Sequence, residues 1–343
     1  MNKNIFVVYP SGKLGDFIWH LPFFKHISEK MDSKIFLITR KGTSAKDLVK
    51  EENYIQKVFY VDFKKNIFFY FKDIFYMISV LKRYKANEVW VLDKNSRPAI
   101  AAFFAGVNKR YGYGTGNQKI WINNKNKLEN EDLKIHYIER AKKFFELQNI
   151  PIQYDFIKIN INDNESKKFK YLNDNSKKII TYGVDSSEMY RSWPTEYFSR
   201  LIDLIDQNYN FTHILIAGPW NSHIADEIIG KSRCKKIHNF SHLKVLEVAA
   251  LLKISDYFIG NDSGILNLSA GVGTKTLGLY GATKSHNYSK TIIPVISKEG
   301  QIVSNESDRP LDDKGKTIKD SNFAKRVKPQ DVFDVLVREI KQN

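Results

Sequence analysis

Cysteine is almost missing from this chain of 343 residues, where Cys234 stands alone. A single thiol excludes an internal disulfide and any cysteine-based zinc site, and it fits a reducing compartment. No run of about 18 uninterrupted apolar residues is present either, so no membrane span is expected. The opening MNKNIFVVYPSGKLGD lacks the positive segment, apolar core and small-residue cleavage site of a signal peptide. The chain is therefore expected to stay in the cytoplasm, soluble or peripheral. The histidines form no metal constellation: His238 falls on a strand-like run and His242 at a helix start, so their four-residue spacing gives no shared ligand face. The loops show no G-x-x-x-x-G-K-[ST], no G-x-G-x-x-G and no G-x-S-x-G, which removes the common nucleotide-binding and hydrolase signatures.

What the chain does have is positive charge, +16 overall and unevenly placed. Residues 1–150 carry 27 Lys and Arg against 15 Asp and Glu, a surplus of 12, while residues 151–343 carry 27 against 23. Such a field favours an anionic partner, whether nucleic acid, acidic lipid or phosphorylated saccharide. A lysine-rich but merely solvated surface is the plainer alternative.

Short apolar runs recur: IFVVYP (5–10), KIFLITR (34–40), KVFYVD (57–62) and EVWVLD (88–93), then KIITYGV (178–184), HILIAGP (213–219), DYFIGND (256–262) and KTLGLYG (275–281). Helical patterns such as TEYFSRLIDLID and HLKVLEVAALLK separate most of them, with Ser241 a suitable N-cap for the latter. The alternation predicts an α/β fold of parallel sheets wound with helices, in two domains. Boundaries are expected at 1–160 for the first domain and 178–328 for the second. Residues 161–177, polar and without periodicity, are expected as linker, and 329–343 as a closing helix with Pro329 near its start.

Ligands of open α/β sheets sit outside the carboxyl ends of the strands, so the loops there deserve the closest reading. PSGKLGDFIWHLP follows the first strand and places Asp16 at a helix start, as a capping residue or a base. GYGTG (112–116), followed by the strand-like KIWI, is a turn. In GVDSSEMYRSWP, Ser186 and Ser187 offer hydroxyls and Arg191 a guanidinium fork suited to phosphate oxygens. In IGNDSGILNLSAGVGTKTLGLYG, Asp262 and Ser263 stand at a helix mouth, where free N–H groups attract phosphate or where either residue caps the helix. Residues 59–85 hold nine Phe and Tyr before Lys82, and predict either a helix lying on a membrane surface or a buried aromatic one.

Taken in order, SGKLGD, RSWP, GNDSGILN and AGVGTKTLGLYGATKSHN resemble the ADP-heptose:lipopolysaccharide heptosyltransferases, glycosyltransferase family 9, over nearly the whole chain. The resemblance implies a GT-B fold of two Rossmann-like domains facing across a cleft, an inverting mechanism, no cofactor and no essential metal. It implies Asp16 as general base, a donor site of Ser186, Ser187, Arg191, Asp262, Ser263, Gly264 and Asn267, and an acceptor site of Lys64, Lys65, Lys119 and His136. The partners it implies are a nucleotide sugar, an acidic lipopolysaccharide or lipooligosaccharide core acceptor, and an anionic membrane at the cytoplasmic face of the bacterial inner membrane. Two positions depart from the family: Arg191 replaces a lysine, and Asn267 replaces the histidine of D-[ST]-G-x-x-H. The alternative is thus a related glycosyltransferase using another nucleotide sugar. A nucleic-acid-binding protein is a further alternative, but no reader motif supports it.

Overall fold

The structure, a computed structural model, describes residues 3–153, 157–172, 177–285, 289–299, 310–314 and 316–342. It divides into two compact units, 1–157 and 158–343. In the first, β1 (Ile5–Val8), α1 (Leu14–Lys30), β2 (Ile35–Thr39), α2 (Ala45–Leu48), β3 (Ile55–Tyr60), α3 (Ile67–Arg83), β4 (Glu88–Val91), α4 (Arg97–Phe104), β5 (Lys109–Gly112) and α5 (Tyr137–Leu147) follow one another. The strands make a parallel sheet in the order β3-β2-β1-β4-β5. IFVV in β1 and IFLIT in β2 are buried throughout, as expected of parallel strands covered on both faces.

The second unit runs α6 (Asp163–Lys167), β6 (Lys178–Gly183), α7 (Thr195–Asn208), β7 (Phe211–Ile216), α8 (Ser222–Lys231), β8 (Ile237–Asn239), α9 (Val245–Ile254), β9 (Tyr257–Asn261), α10 (Gly264–Val272), β10 (Lys275–Tyr280), β11 (Ile292–Ile296) and α11 (Pro329–Lys341). Its sheet is also parallel, in the order β11-β10-β9-β6-β7-β8. Pro329 opens α11, where its missing N–H is not needed. Val332 and Leu336 of that helix are fully buried with Tyr182, Phe198 and Leu277.

Both sheets reverse their strand order once. The switch points fall between β1 and β4 in the first unit and between β6 and β9 in the second. These are the places where open α/β sheets part their loops and accept ligands.

Three sequence expectations need correction. The described residues 161–172 of the expected linker pack on the second unit: Ile159 and Ile161 are buried, Ile159 N donates to Gly271 O, and Lys253 Nζ donates to Ile161 O and pairs with Asp163. Alternate isoleucines, with Phe169 and Leu172 also buried, fasten a mostly polar segment to the second unit. Ser241 does not cap α9. Its Oγ accepts from Ala217 N at 3.0 Å, and Lys244 holds the N-cap position with Glu247 accepting from its backbone. KIWI is no strand, because a 3-10 turn spans Gly116–Ile120.

No helix among the described residues is long and apolar enough to cross a membrane. The aromatic segment forms α3, and its buried face is aliphatic rather than aromatic. It buries Asp73, Ile74, Met77, Val80 and Leu81 but leaves Ile67, Phe68, Phe71 and Phe75 more than half exposed.

Candidate active site

The loop after β1 is held by backbone contact. A side chain at Gly42 would collide with the carbonyl oxygen of Gly12, so glycine there lets the 41–43 turn press against the loop. Lys13 occupies the N-cap of α1 and makes no side-chain cap bond. Asp16 therefore sits in the first helical turn rather than at the cap, half-buried, with Ser11 Oγ donating to its Oδ2 at 3.3 Å.

One turn on, His20 is fully buried, with Nδ1 2.8 Å from Asp16 O, and its ring lies against Tyr9 and Tyr137. Burial pulls its pKa down to about 4, so the imidazole is neutral at pH 7. The same burial, aided by the Asp16 charge, pushes the Tyr9 hydroxyl well up. Across the switch point, Asp93 follows β4. Burial raises its carboxyl, and Asn95 N donates to Oδ1 at 2.8 Å. Asp93 and Tyr9 were not anticipated as site residues, although the final acid of EVWVLD marks a strand's carboxyl end.

The acceptor candidates are spread around this unit. Lys64 and Lys65 are exposed before α3, with Lys64 Nζ 4.4 Å from the Phe69 ring centre. Lys119 is exposed in the turn after β5. The strands that precede these lysines are opposite edges of the five-stranded sheet, about 19 Å apart at the usual strand spacing. Lys119 and the Lys64 pair are thus rooted too far apart to suggest one compact anion site. His136 is the N-cap of α5, its Nδ1 accepting from Ile138 N at 3.4 Å.

In the second unit the switch point gathers the other candidates. The loop after β6 carries half-buried Ser186 and exposed Ser187, and the 3-10 turn Met189–Arg191 then presents Arg191. Trp193 is the anchor of this loop. It is buried against Phe198, donates from Nε1 to Val327 O, and its backbone N donates to Asn261 Oδ1 at 3.0 Å. The loop after β9 is thereby tied to the loop after β6. Arg191 Nη1 lies 3.3 Å from Asp262 Oδ2, and Tyr190 OH accepts from its Nε and Nη2. Thr283 Oγ1 donates to the same Asp262 oxygen at 2.8 Å.

Ser263 occupies the N-cap of α10, yet its side chain makes no cap bond. Its Oγ is buried without a hydrogen-bond partner among the described residues. Asp262 is likewise engaged elsewhere, so neither residue uses its side chain to cap the helix. Gly264 begins α10 and Asn267, 8% exposed, lies in its first turn. The result is an uncapped helix mouth with a waiting hydroxyl and an adjacent guanidinium, a combination suited to an anion. Asp185, another residue not anticipated, accepts from Gly218 N at 2.7 Å and so joins the loops after β6 and β7.

The profile of glycosyltransferase family 9 (heptosyltransferase) matches residues 74–321. The chain belongs to that family. As a family 9 member it is a glycosyltransferase, and it shares the GT-B fold with solved structures of low sequence identity. One is the glycosyl transferase family 9 protein of Veillonella parvula, 16% identical, covering 99% of this chain and 98% of the other, with TM-score 0.80. Another is the Escherichia coli ADP-heptose lps heptosyltransferase II, 15% identical over 99% of each chain, TM-score 0.75. A third is the E. coli heptosyltransferase WaaC with ADP, 14% identical, covering 98% and 99%, TM-score 0.70. No curated protein sequence matches this family 9 chain.

Proposed function

We propose that this glycosyltransferase moves a heptose from ADP-heptose to an acidic sugar of a lipopolysaccharide core, with inversion at the anomeric carbon. The observation that carries the reading is the helix mouth of α10, where the unpartnered Ser263 hydroxyl adjoins the Arg191–Asp262 pair. Those groups, with Ser186, Ser187, Gly264 and Asn267, suit the diphosphate and sugar of a nucleotide donor, and the WaaC structure named above was solved with ADP. In the proposed step the acceptor hydroxyl gives its proton to the Asp16 carboxylate as its oxygen bonds to the anomeric carbon. The bond from that carbon to the diphosphate oxygen breaks, and the electron pair leaves with ADP. Arg191 and the helix N–H groups stabilise the charge gathering on the leaving diphosphate. Lys64, Lys65, Lys119 and His136 serve an extended acidic acceptor, which their spread around the first unit permits.

Donor binding tests this directly by calorimetric titration with ADP, UDP and GDP. The expected outcome is preference for ADP, with Arg191→Ala weakening it about 10-fold or more, the loss of a charge-assisted hydrogen bond. Equal affinity for all three, or no loss in the variant, would remove the assignment. One observation favours a second reading of the sugar: Asn267 stands where the family carries histidine and cannot become cationic. A nucleotide sugar other than ADP-heptose is the form that reading takes.

The exposed aromatic face of α3, with Lys64, Lys65 and Lys72 around it, supports a place on the anionic cytoplasmic face of the inner membrane. Wild-type chain should sediment with vesicles of anionic phospholipid at low salt, and a Phe68→Glu, Phe71→Glu, Phe75→Glu variant should remain in the supernatant. If the wild type also stays in the supernatant, the membrane reading fails.

A further inference from the structure

At the other end of the second unit's sheet, away from the loops that carry Arg191 and Ser263, three residues far apart in sequence converge. Asp206 lies in the last turn of α7, His213 near the start of β7, and Cys234 between α8 and β8. One ligand atom from each, an imidazole nitrogen, a carboxylate oxygen and the thiol sulfur, falls within 4.8 Å of the others. His213 is fully buried and Cys234 is 5% exposed. A carboxylate, a neutral imidazole and a thiol form a donor set suited to zinc and its neighbours among the divalent transition metals.

The surroundings support that use. His213 Nδ1 is 2.9 Å from the Tyr182 hydroxyl, while Nε2 is buried without a hydrogen-bond partner among the described residues. When Nδ1 donates to Tyr182, Nε2 keeps an unshared lone pair in the interior. An unsatisfied acceptor in the interior is unfavourable, so its retention calls for a partner. The turn bearing Cys234 is already ordered, because Asp203 Oδ1 accepts from Arg233 N at 2.9 Å and Cys234 N at 3.3 Å. Lys236 lies nearby, its Nζ 3.9 Å from Asp206 Oδ1 and 3.2 Å from Asn210 Oδ1. It can keep the second contact when a cation takes the carboxylate.

We propose that Asp206, His213 and Cys234 bind one divalent transition metal, zinc by preference, as a brace joining α7, β7 and the segment before β8. Binding displaces the thiol proton: the metal–sulfur bond forms, one proton goes to solvent, and no electron is transferred. The single cysteine seen in sequence argued against such a site. The fold adds a carboxylate and an imidazole from Asp206 and His213, which lie 28 and 21 residues before Cys234. The site is independent of the transfer reaction.

Cobalt(II) is the probe, added to full-length chain without a histidine tag at neutral pH. Because Cys234 is the only cysteine, a thiolate-to-cobalt charge-transfer band can have only one origin. The expected result is one cobalt per chain with that band, displaced by zinc, and a zinc-dependent rise in melting temperature. Cys234→Ser, a near-isosteric change, should fold as the metal-free wild type does but show neither band nor rise. No charge-transfer band in wild type overturns the proposal, as does a Cys234→Ser chain that binds zinc as tightly as wild type by calorimetry.

Discussion

Asp16→Asn lowers the transfer rate about 10²- to 10⁴-fold while leaving ADP affinity unchanged, the range expected when a positioned base is removed. The substitution keeps the shape of the side chain, and the amide oxygen can still accept from Ser11 Oγ, which donates to Asp16 at 3.3 Å. What is lost is the carboxylate and its capacity to hold a proton. His20, one turn away, cannot replace it. Its pKa is lowered to about 4 by burial, and its Nδ1 already faces Asp16 O. The expected signature is a fall in kcat with KM for both substrates changed little, because in the proposed step the carboxylate takes the proton only as the acceptor hydroxyl attacks. Asp16→Asn at the full wild-type rate would strike Asp16 from the mechanism.

The second large effect concerns stability. Asp73 and Arg97 form a buried ion pair at 2.8 Å, with side chains 4% and 8% exposed. Asp73 Oδ2 also accepts from Phe63 N at 3.0 Å, and Arg97 Nη2 donates to Lys64 O at 2.6 Å. Phe63 has φ of +50°, a left-handed conformation that a bulky residue adopts only when its surroundings hold it there. The pair thus supports the turn that presents Lys64 and Lys65. Asp73→Asn leaves the Arg97 charge buried without its counterion and should cost about 3–5 kcal/mol. That is a large share of the roughly 5–15 kcal/mol by which domains are stable. Asp73→Leu combined with Arg97→Met removes both charges and should cost less than the single change. Hydrogen exchange followed by mass spectrometry in urea, with peptides from residues 1–157 scored separately, distinguishes these outcomes. A single variant as stable as wild type would mean that the pair does not hold the turn, whereas a double variant less stable than Asp73→Asn would mean that the lost hydrogen bonds to Phe63 N and Lys64 O outweigh the unpaired charge.

The main elements of the fold were legible because strands such as IFVV and IFLIT are continuous apolar runs separated by helical patterns. The edge strands β5, KRYG, and β8, IHN, were not, since they are short, polar and only partly buried. The 161–177 segment misled for a related reason: its few apolar residues act through tertiary contacts that show no local periodicity. Ser241 had the chemistry of a cap but found a buried backbone N–H across the sheet. Arg191 and Asp262, grouped by motif order, meet in the fold although 71 residues separate them. Strand order, which places Asp93 beside the Asp16 loop and brings Asp206, His213 and Cys234 together, is a property of the folded chain that no local spacing reveals.

The central claim is heptosyl transfer, and product analysis tests it most directly. Purified chain would be incubated with a lipopolysaccharide core acceptor and, in separate reactions, ADP-heptose and a panel of other nucleotide sugars, with products weighed by mass spectrometry. The account predicts an acceptor heavier by one heptose, with ADP released, in the ADP-heptose reaction. An acceptor unchanged by ADP-heptose but extended by another donor would contradict it, and would make Asn267 the residue at which to begin again.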